Sequence, residues 1–421
     1  MISRNASAAC RGWQRCNEIR AAITSSTATF RTNGEATRSA SSYAANNNSQ
    51  DTMSAAVLQP DGTMEVETLR LPQPQAGEVL LKTKACGVCH TDLHVIKSEV
   101  PFPKPAVMGH EVSGEVVSVG EGSSDQLKQA LPVGRKAVGA FIMPCTSCYF
   151  CDRGQEEMCE KFFEYNRGKG QLYDGTTRLY RQDGTPVAMY SMGGMAEYCV
   201  IPSSAVSPLQ ENVPYEEAAI LGCALFTAYG ALKNSGKFSF GETLAVIGTG
   251  GIGSSCIQIA KGLGAASIIA VDVCDEKLSK MTSLGATHTV NSKTVDPVMA
   301  IKEITGGRGV DVAVEAIGLP STFETATLAV RDGGRAVMVG IAPVGMTANV
   351  NITHVVRRQV AIQGSYGARA STDLPALMKL VSDGHLDVVS PITKRFNLSE
   401  AGAAYQMLNE GKIIGRGLVE F

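Results

Sequence analysis

Cys145-Thr-Ser-Cys148-Tyr-Phe-Cys151, closed by Cys159, sets four thiols at spacings of three, three and eight residues. Thiolates so spaced in one loop can surround a single ion tetrahedrally. An all-sulfur zinc has no open position, so it holds a loop and does no chemistry. Two disulfides are the alternative reading of the spacing, but the chain shows no sign of secretion, which favours metal. A second set lies upstream in Cys86-Gly-Val-Cys89-His90-Thr91-Asp92-Leu93-His94 and Gly109-His110-Glu111. A catalytic zinc needs three protein ligands and one position left for water or substrate. Taken alone, Cys86 and Cys89 could be a redox pair and His110 a structural histidine. No thioredoxin-like unit accompanies the two cysteines. Asp92 and Glu111 stand beside these groups in sequence, and a metal-bound histidine usually donates its other N–H to a carboxylate.

A third constellation points to a dinucleotide. The apolar run Thr243–Ile247 reads as a buried strand and leads into Gly248-Thr-Gly250-Gly-Ile-Gly253. A helix is expected from Ser254 to Leu263. The three glycines serve a tight turn, close approach of a pyrophosphate, and close packing of helix on strand. The phosphates would meet the positive end of the helix. A further strand, Ser267–Val271, ends at Asp272, nineteen residues after Gly253. A carboxylate there binds the adenosine ribose hydroxyls and repels a 2′-phosphate, so NAD is expected over NADP.

These groups must be held by two kinds of element. Beyond residue 240, the runs Val310–Val314, Arg335–Val339 and Val360–Gln363 continue a rhythm of short strands and helix-length segments, which predicts a doubly wound parallel sheet. Before residue 205 the chain reads as strands punctuated by glycine and proline. The fold class expected is therefore α/β.

GVCHTDLH at 87–94, GHE at 109–111, the four-cysteine loop, LGC at 221–223 and GTGGIG at 248–253 occur in one order. Through them, almost everything from about residue 54 onward resembles the zinc-dependent medium-chain alcohol dehydrogenases. Segments such as KTKACGVCH, FIMPC, MYSMGGMAEYC and GSYGAR are most similar to plant and algal organellar members. The resemblance implies a GroES-like β-rich catalytic domain in residues 53–221, a Rossmann NAD-binding domain in 222–362, and a C-terminal return in 363–421. It makes Cys89, His110 and Cys223 ligands of a catalytic zinc, with Asp92 behind His110 and Glu111 near the metal. Cys145, Cys148, Cys151 and Cys159 become the structural site, giving two zinc ions per subunit. Gly248, Gly250, Gly253, Asp272, Lys277, His90 and Arg416 become cofactor contacts, and Phe141 a pocket wall. The implied reaction interconverts a primary alcohol and its aldehyde with NAD(H). Thr91 takes the substrate proton and His94 delivers it to solvent. An NADP-linked cinnamyl-alcohol-type reductase is the alternative inside the fold, disfavoured by Asp272. A polyol dehydrogenase usually lacks the third ligand that Cys223 supplies. A zinc-stabilised NAD-binding protein without turnover is the alternative outside catalysis.

The rest of the chain sets bounds. A net charge of −2 gives no reason to expect nucleic acid as partner, and no apolar run is long enough to span a bilayer. The expected partner is a small alcohol or aldehyde, with a homo-oligomer, dimer or tetramer, implied by the relatives. The twelve cysteines include six assigned to zinc, and the rest are scattered. Residues 1–50 carry six arginines against Glu18 and Glu35 and are rich in Ser, Thr and Ala. With no signal-peptide core, they read as an organellar transit peptide, the mitochondrion favoured over the chloroplast; a cytoplasmic enzyme with a disordered tail is the alternative. Turn residues in 162–190 predict a hairpin-like excursion at the substrate entrance or a subunit contact, or a surface hairpin with no role.

Overall fold

The computed structural model describes residues 52–421. The expected transit segment lies outside the described residues. None of the helices described is long and apolar enough to cross a membrane.

Six strands form a wholly parallel sheet in the spatial order His288–Asn291, Ser267–Asp272, Thr243–Ile247, Val310–Glu315, Val330–Met338 and Ala361–Gly364. Numbered along the chain this is 3-2-1-4-5-6, the doubly wound order of dinucleotide-binding folds. The three central strands are buried almost end to end. Their sequences TLAVI, SIIAVD and VDVAVE are near-continuous apolar runs because helices cover both faces. Strand order reverses between Thr243–Ile247 and Val310–Glu315, where such folds open a ligand crevice. The helix after the glycine turn runs Gly251–Gly262, starting three residues before the expected Ser254. A Cβ on Gly253 would lie 1.9 Å from the Gly248 carbonyl oxygen. The third glycine therefore lets the helix pack against the turn that precedes it, inside its own first residues.

The remaining strands make two mostly antiparallel sheets, the GroES-like part of an α/β fold. One has the order Met64–Arg70, Thr52–Leu58, Ala106–Val107, Pro186–Met189, Leu179–Tyr180. The other runs Val206–Pro208, Lys136–Gly139, Val112–Val119, Glu78–Val88, Arg416–Glu420, Ile392–Asn397, with Tyr198–Pro202 also on Glu78–Val88. The last strand pairs antiparallel with Glu78–Val88, setting Gly417 opposite Val88 and Val419 opposite Cys86. That register carries Arg416 to the end of the strand from which Cys89 emerges. The excursion at 162–190 does contain a hairpin, with Leu179 opposite Val187. It begins, however, with a wide helical turn, Phe162–Arg167, anchored by buried Phe162 and Asn166. Turn residues announced the hairpin; burial of an aromatic side chain, which leaves no turn signature, made the helical turn.

Candidate active site

Cys89 closes the strand Glu78–Val88 and caps the short helix His90–Ile96. Seven residues of helix suffice to turn Asp92 inward, leave His90 exposed and hold His94 half-buried. His110 and Glu111 follow Gly109, whose φ of 94° makes the turn into the strand Val112–Val119. Cys223 arrives from a distant segment, between the helical turns Glu217–Gly222 and Ala224–Gly230. Together these segments bring one donor atom each from Cys89, His110, Glu111 and Cys223 within 4.8 Å of one another, all four residues buried. Cys86 stays outside the cluster, its sulfur packed near Gly109 and Gly194. Burial, then Asp92, push its thiol well above the usual range, so it remains neutral.

The donor set fits a zinc ion. His110 Nδ1 bonds Asp92 Oδ1 at 2.9 Å, which points Nε2 into the cluster. Nε2 and Glu111 Oε2 are buried with no hydrogen-bond partner among the described residues. Cys89 is held well below the usual thiol range by the Cys223 thiol donating to it, against burial, with help from His110. The same shared proton, and burial, push Cys223 up. Burial opposes charge on His110, but Asp92 and Cys89 outweigh it and hold the imidazole up to about 10. Protons thus supply positive charge where a cation would displace them. Two sulfurs and an imidazole suit zinc.

Behind the cluster, Asp92 is fully buried and accepts three hydrogen bonds. They come from His110 Nδ1, Gly109 N at 3.2 Å and Tyr405 Oη at 3.0 Å. The sequence gives no signal for Tyr405. It comes from the helix Ala401–Asn409, 313 residues away from its partner. Glu111 Oε1 accepts from Arg416 Nη2, both groups being buried. Arg416, the expected pyrophosphate contact, gives one guanidinium nitrogen to Glu111. The other Nη lies 2.7 Å from where a Cβ on Gly251 would stand. One side chain thus joins the metal cluster to the glycine turn.

Thr91 Oγ1 lies 3.7 Å from Cys89 Sγ. His94 Nδ1 lies 2.5 Å from Glu99 Oε2, a partner the sequence reading missed. Lys97, then His94, hold the Glu99 carboxyl below its ordinary value. Phe141 is buried, its ring edge-on to His110 at 5.9 Å and to Tyr366 at 5.6 Å.

At the glycine turn, a Cβ on Gly250 would meet no protein atom within 4 Å. Packing does not require glycine there, whereas a ligand lying against the backbone would. Asp272 is buried and its carboxylate already accepts four hydrogen bonds. Thr249 N and Oγ1 donate to Oδ2 at 2.9 and 2.8 Å, and Val273 N and Cys274 N to Oδ1 at 2.8 and 3.1 Å. The expected ribose acceptor is thus also the clasp of its own turn. Lys277 is half-buried on the helix Asp275–Leu284 that follows.

Donor atoms of Cys145, Cys148, Cys151 and Cys159 also gather within 4.8 Å. Among the described residues every cysteine is free of disulfides. Backbone N–H groups, against burial, draw Cys148 down to about 6, while burial, then the neighbouring thiols, push Cys159 up to about 11. Tyr173 closes the loop by donating to the Met143 carbonyl.

Two family descriptions match the chain: the alcohol dehydrogenase GroES-like domain over residues 75–211 and zinc-binding dehydrogenase over 251–383. An NDMA-dependent alcohol dehydrogenase of Amycolatopsis methanolica is 32% identical over 371 residues, 87% of this chain and 98% of that protein. The S-(hydroxymethyl)glutathione dehydrogenase of Paracoccus denitrificans is 29% identical over 375 residues, 86% of this chain and 98% of that protein. The crystal structure of benzyl alcohol dehydrogenase from Acinetobacter calcoaceticus superposes with a TM-score of 0.81 at 30% identity, covering 88% of this chain and 99% of that one.

Proposed function

Because the chain belongs to the zinc-dependent medium-chain alcohol dehydrogenases, we propose that its cluster of Cys89, His110 and Cys223 catalyses NAD-linked exchange between a primary alcohol and its aldehyde. Zinc-dependent oxidoreduction of alcohols is the family's chemistry. The cofactor, the substrate's order and the residue roles are the proposal. Arg416 carries it: it touches the metal cluster through Glu111 and lies against the glycine turn at Gly251, so metal chemistry and nucleotide binding share one cleft.

Cys89 Sγ, His110 Nε2 and Cys223 Sγ would hold the catalytic zinc, and the four-cysteine loop would hold a second, structural one. When bound, zinc polarises the substrate oxygen and NAD takes or gives the hydride. The chain's own residues do the remaining work. Asp92, gripped by Tyr405, keeps His110 in the tautomer that presents Nε2. Phe141 lines the cleft and excludes water. Thr91 moves the proton at the reacting oxygen, and His94, backed by Glu99, passes it to solvent. His90 is offered to the pyrophosphate; desolvation lowers its pKa against the pull of Cys89. Asp272 favours NAD by repelling a 2′-phosphate.

The reading further includes a homo-oligomer, by likeness to the family alone, and an organellar address in residues 1–50, supported by composition. Likeness to the plant and algal organellar members rests on the sequence segments alone. The decisive experiment measures two zinc ions per subunit and compares kcat/KM for a panel of aldehydes with NADH and with NADPH. One zinc, or equal use of both cofactors, would overturn the respective part. Tagged full-length chains remaining in the cytosol would remove the address.

A further inference from the structure

The helix that carries His94, His90–Ile96, ends in a motif that fixes what lies beside that ring. Ser98 N donates to the Val95 carbonyl at 3.0 Å, and Glu99 N to the His94 carbonyl at 2.9 Å. These two bonds make a Schellman turn, whose pivot residue must be left-handed. Ser98 is that pivot, with φ 58°, where glycine is usual and an L side chain is reluctant. Lys104 Nζ donates to its hydroxyl at 3.2 Å. A Schellman turn sets the residue after the pivot against the third residue from the helix end, commonly as an apolar contact. Here those two residues are Glu99 and His94, and the contact is an acid against a base.

His94 Nδ1 lies 2.5 Å from Glu99 Oε2, and Lys97 Nζ lies 2.8 Å from Oε1. Each carboxylate oxygen thus has its own partner, and the orientation of the group is set. Both members of the His94–Glu99 pair are partly exposed, and a pair so wet adds little to stability. What it settles is the tautomer. An ionised carboxylate can only accept, so the ring proton sits on Nδ1 and Nε2 keeps its lone pair. The Lys97 ammonium, then His94, hold the Glu99 carboxyl below its ordinary value, so it stays ionised.

We propose that Glu99 is a positioning residue of the proton relay: it locks His94 in the Nδ1–H tautomer, so that Nε2 takes the substrate's proton, and it offsets the charge of the imidazolium that forms. The proposal rests on the alcohol dehydrogenase reading above and adds a residue to it. In alcohol oxidation the hydride goes to NAD, and the proton released at the substrate oxygen passes by way of Thr91 toward His94. A bond forms between that proton and Nε2, the ring becomes an imidazolium, and Glu99 faces its positive charge. The partly exposed ring then gives the Nε2 proton to water and returns to its starting tautomer. Aldehyde reduction moves the same proton the other way. Glu99 itself stays ionised throughout, because donors on both of its oxygens favour the charged form.

The test uses the purified zinc-loaded enzyme oxidising a panel of primary alcohols with NAD. Glu99→Gln keeps the size of the side chain, loses its charge, and offers an amide that can donate to Nδ1 and so force the proton onto Nε2. Its kcat/KM is expected to fall by about tenfold or more, while the affinity for NADH stays that of the wild type. In a His94→Ala background the same substitution should change kcat/KM by less than about twofold, because Glu99 acts only through His94. A role in holding the fold would cost as much in either background. Glu99→Ala gives a second reading: sodium formate should recover part of its loss, sodium chloride at equal ionic strength should not, and formate should do nothing once His94 is also Ala. If one Glu99 variant fails to fold, the other carries the test. An unchanged kcat/KM in Glu99→Gln, an equal loss with and without His94, or no response of Glu99→Ala to formate overturns the assignment and leaves the dehydrogenase reading standing. A wild type that oxidises no alcohol of the panel overturns that reading and this one with it.

Discussion

Arg416 Nη2 donates to Glu111 Oε1 where neither side chain reaches solvent, and the pair stands between the metal donors and the glycine turn. A cation and an anion so buried depend on each other. Losing one partner of such a pair typically costs about 3–5 kcal/mol, because the other is left charged in a dry site. Arg416→Met should therefore destabilise the protein by about that amount and weaken cofactor binding. Adding Glu111→Gln should recover most of the stability without recovering the cofactor affinity. Denaturant unfolding and cofactor titration of the two variants check both halves.

Asp92 should act as the grip on His110. In Tyr405→Phe one buried carboxylate oxygen loses its donor, a loss of about 1–3 kcal/mol. Zinc retention in competition with a chelator should fall, and should fall further, by about 10- to 100-fold, in Asp92→Asn. Equal retention in all three proteins would show that Asp92 does not position the ligand.

The four-cysteine loop is tied to a distant segment of the chain through Arg369 and Ser371. Ser371 N donates to Glu156 Oε2 at 3.0 Å, and Arg369 pairs with Glu157 at 3.2 Å. Cys148→Ser should lower the zinc content from two to one, loosen these contacts and reduce the melting temperature by several degrees. His110→Ala should also lose one zinc but keep a melting temperature close to the wild type. Metal analysis with calorimetry separates the two outcomes.

Asp272 has two duties in one carboxylate. Asp272→Ser should raise the NADP-to-NAD ratio of kcat/KM, since a repulsive charge is gone. It should also lower stability, because Thr249, Val273 and Cys274 lose a charged acceptor. A change in cofactor ratio with no loss of stability would mean that water replaces the clasp.

Asp311 supplies an acid-sensitive tie. It accepts from Thr243 N and Oγ1 at the start of the central strand and pairs with Arg331 at 2.6 Å. Burial opposes its charge, but these donors hold the carboxyl below the usual range. A depressed carboxylate adds stability above its unfolded pKa and loses it as pH falls through the folded value. The difference between wild type and Asp311→Asn should thus be about 1–3 kcal/mol at neutral pH and fade as pH falls through the depressed folded pKa of Asp311. A difference independent of pH would assign it to packing.

Spacing along the chain determined what is local. Four cysteines within fifteen residues, a strand–glycine–helix unit, and a carboxylate nineteen residues on are geometries that one loop or one βα unit imposes by itself. Hydrophobic runs determined the parallel sheet for the same reason: strands buried on both faces must be apolar throughout. Partners decided across hundreds of residues were not legible. Cys223 was reachable only through a family likeness, and Tyr405 meets Asp92, and Arg416 meets Glu111, across 313 and 305 residues. No periodicity connects such pairs. They meet because the last strand closes against Glu78–Val88 to bury apolar surface, and the polar groups carried along must then find partners or remain unsatisfied. Arg167 lies at the end of the turn that buries Phe162, and only the folded chain sets its guanidinium against the rings of Tyr190, Phe162 and Phe141.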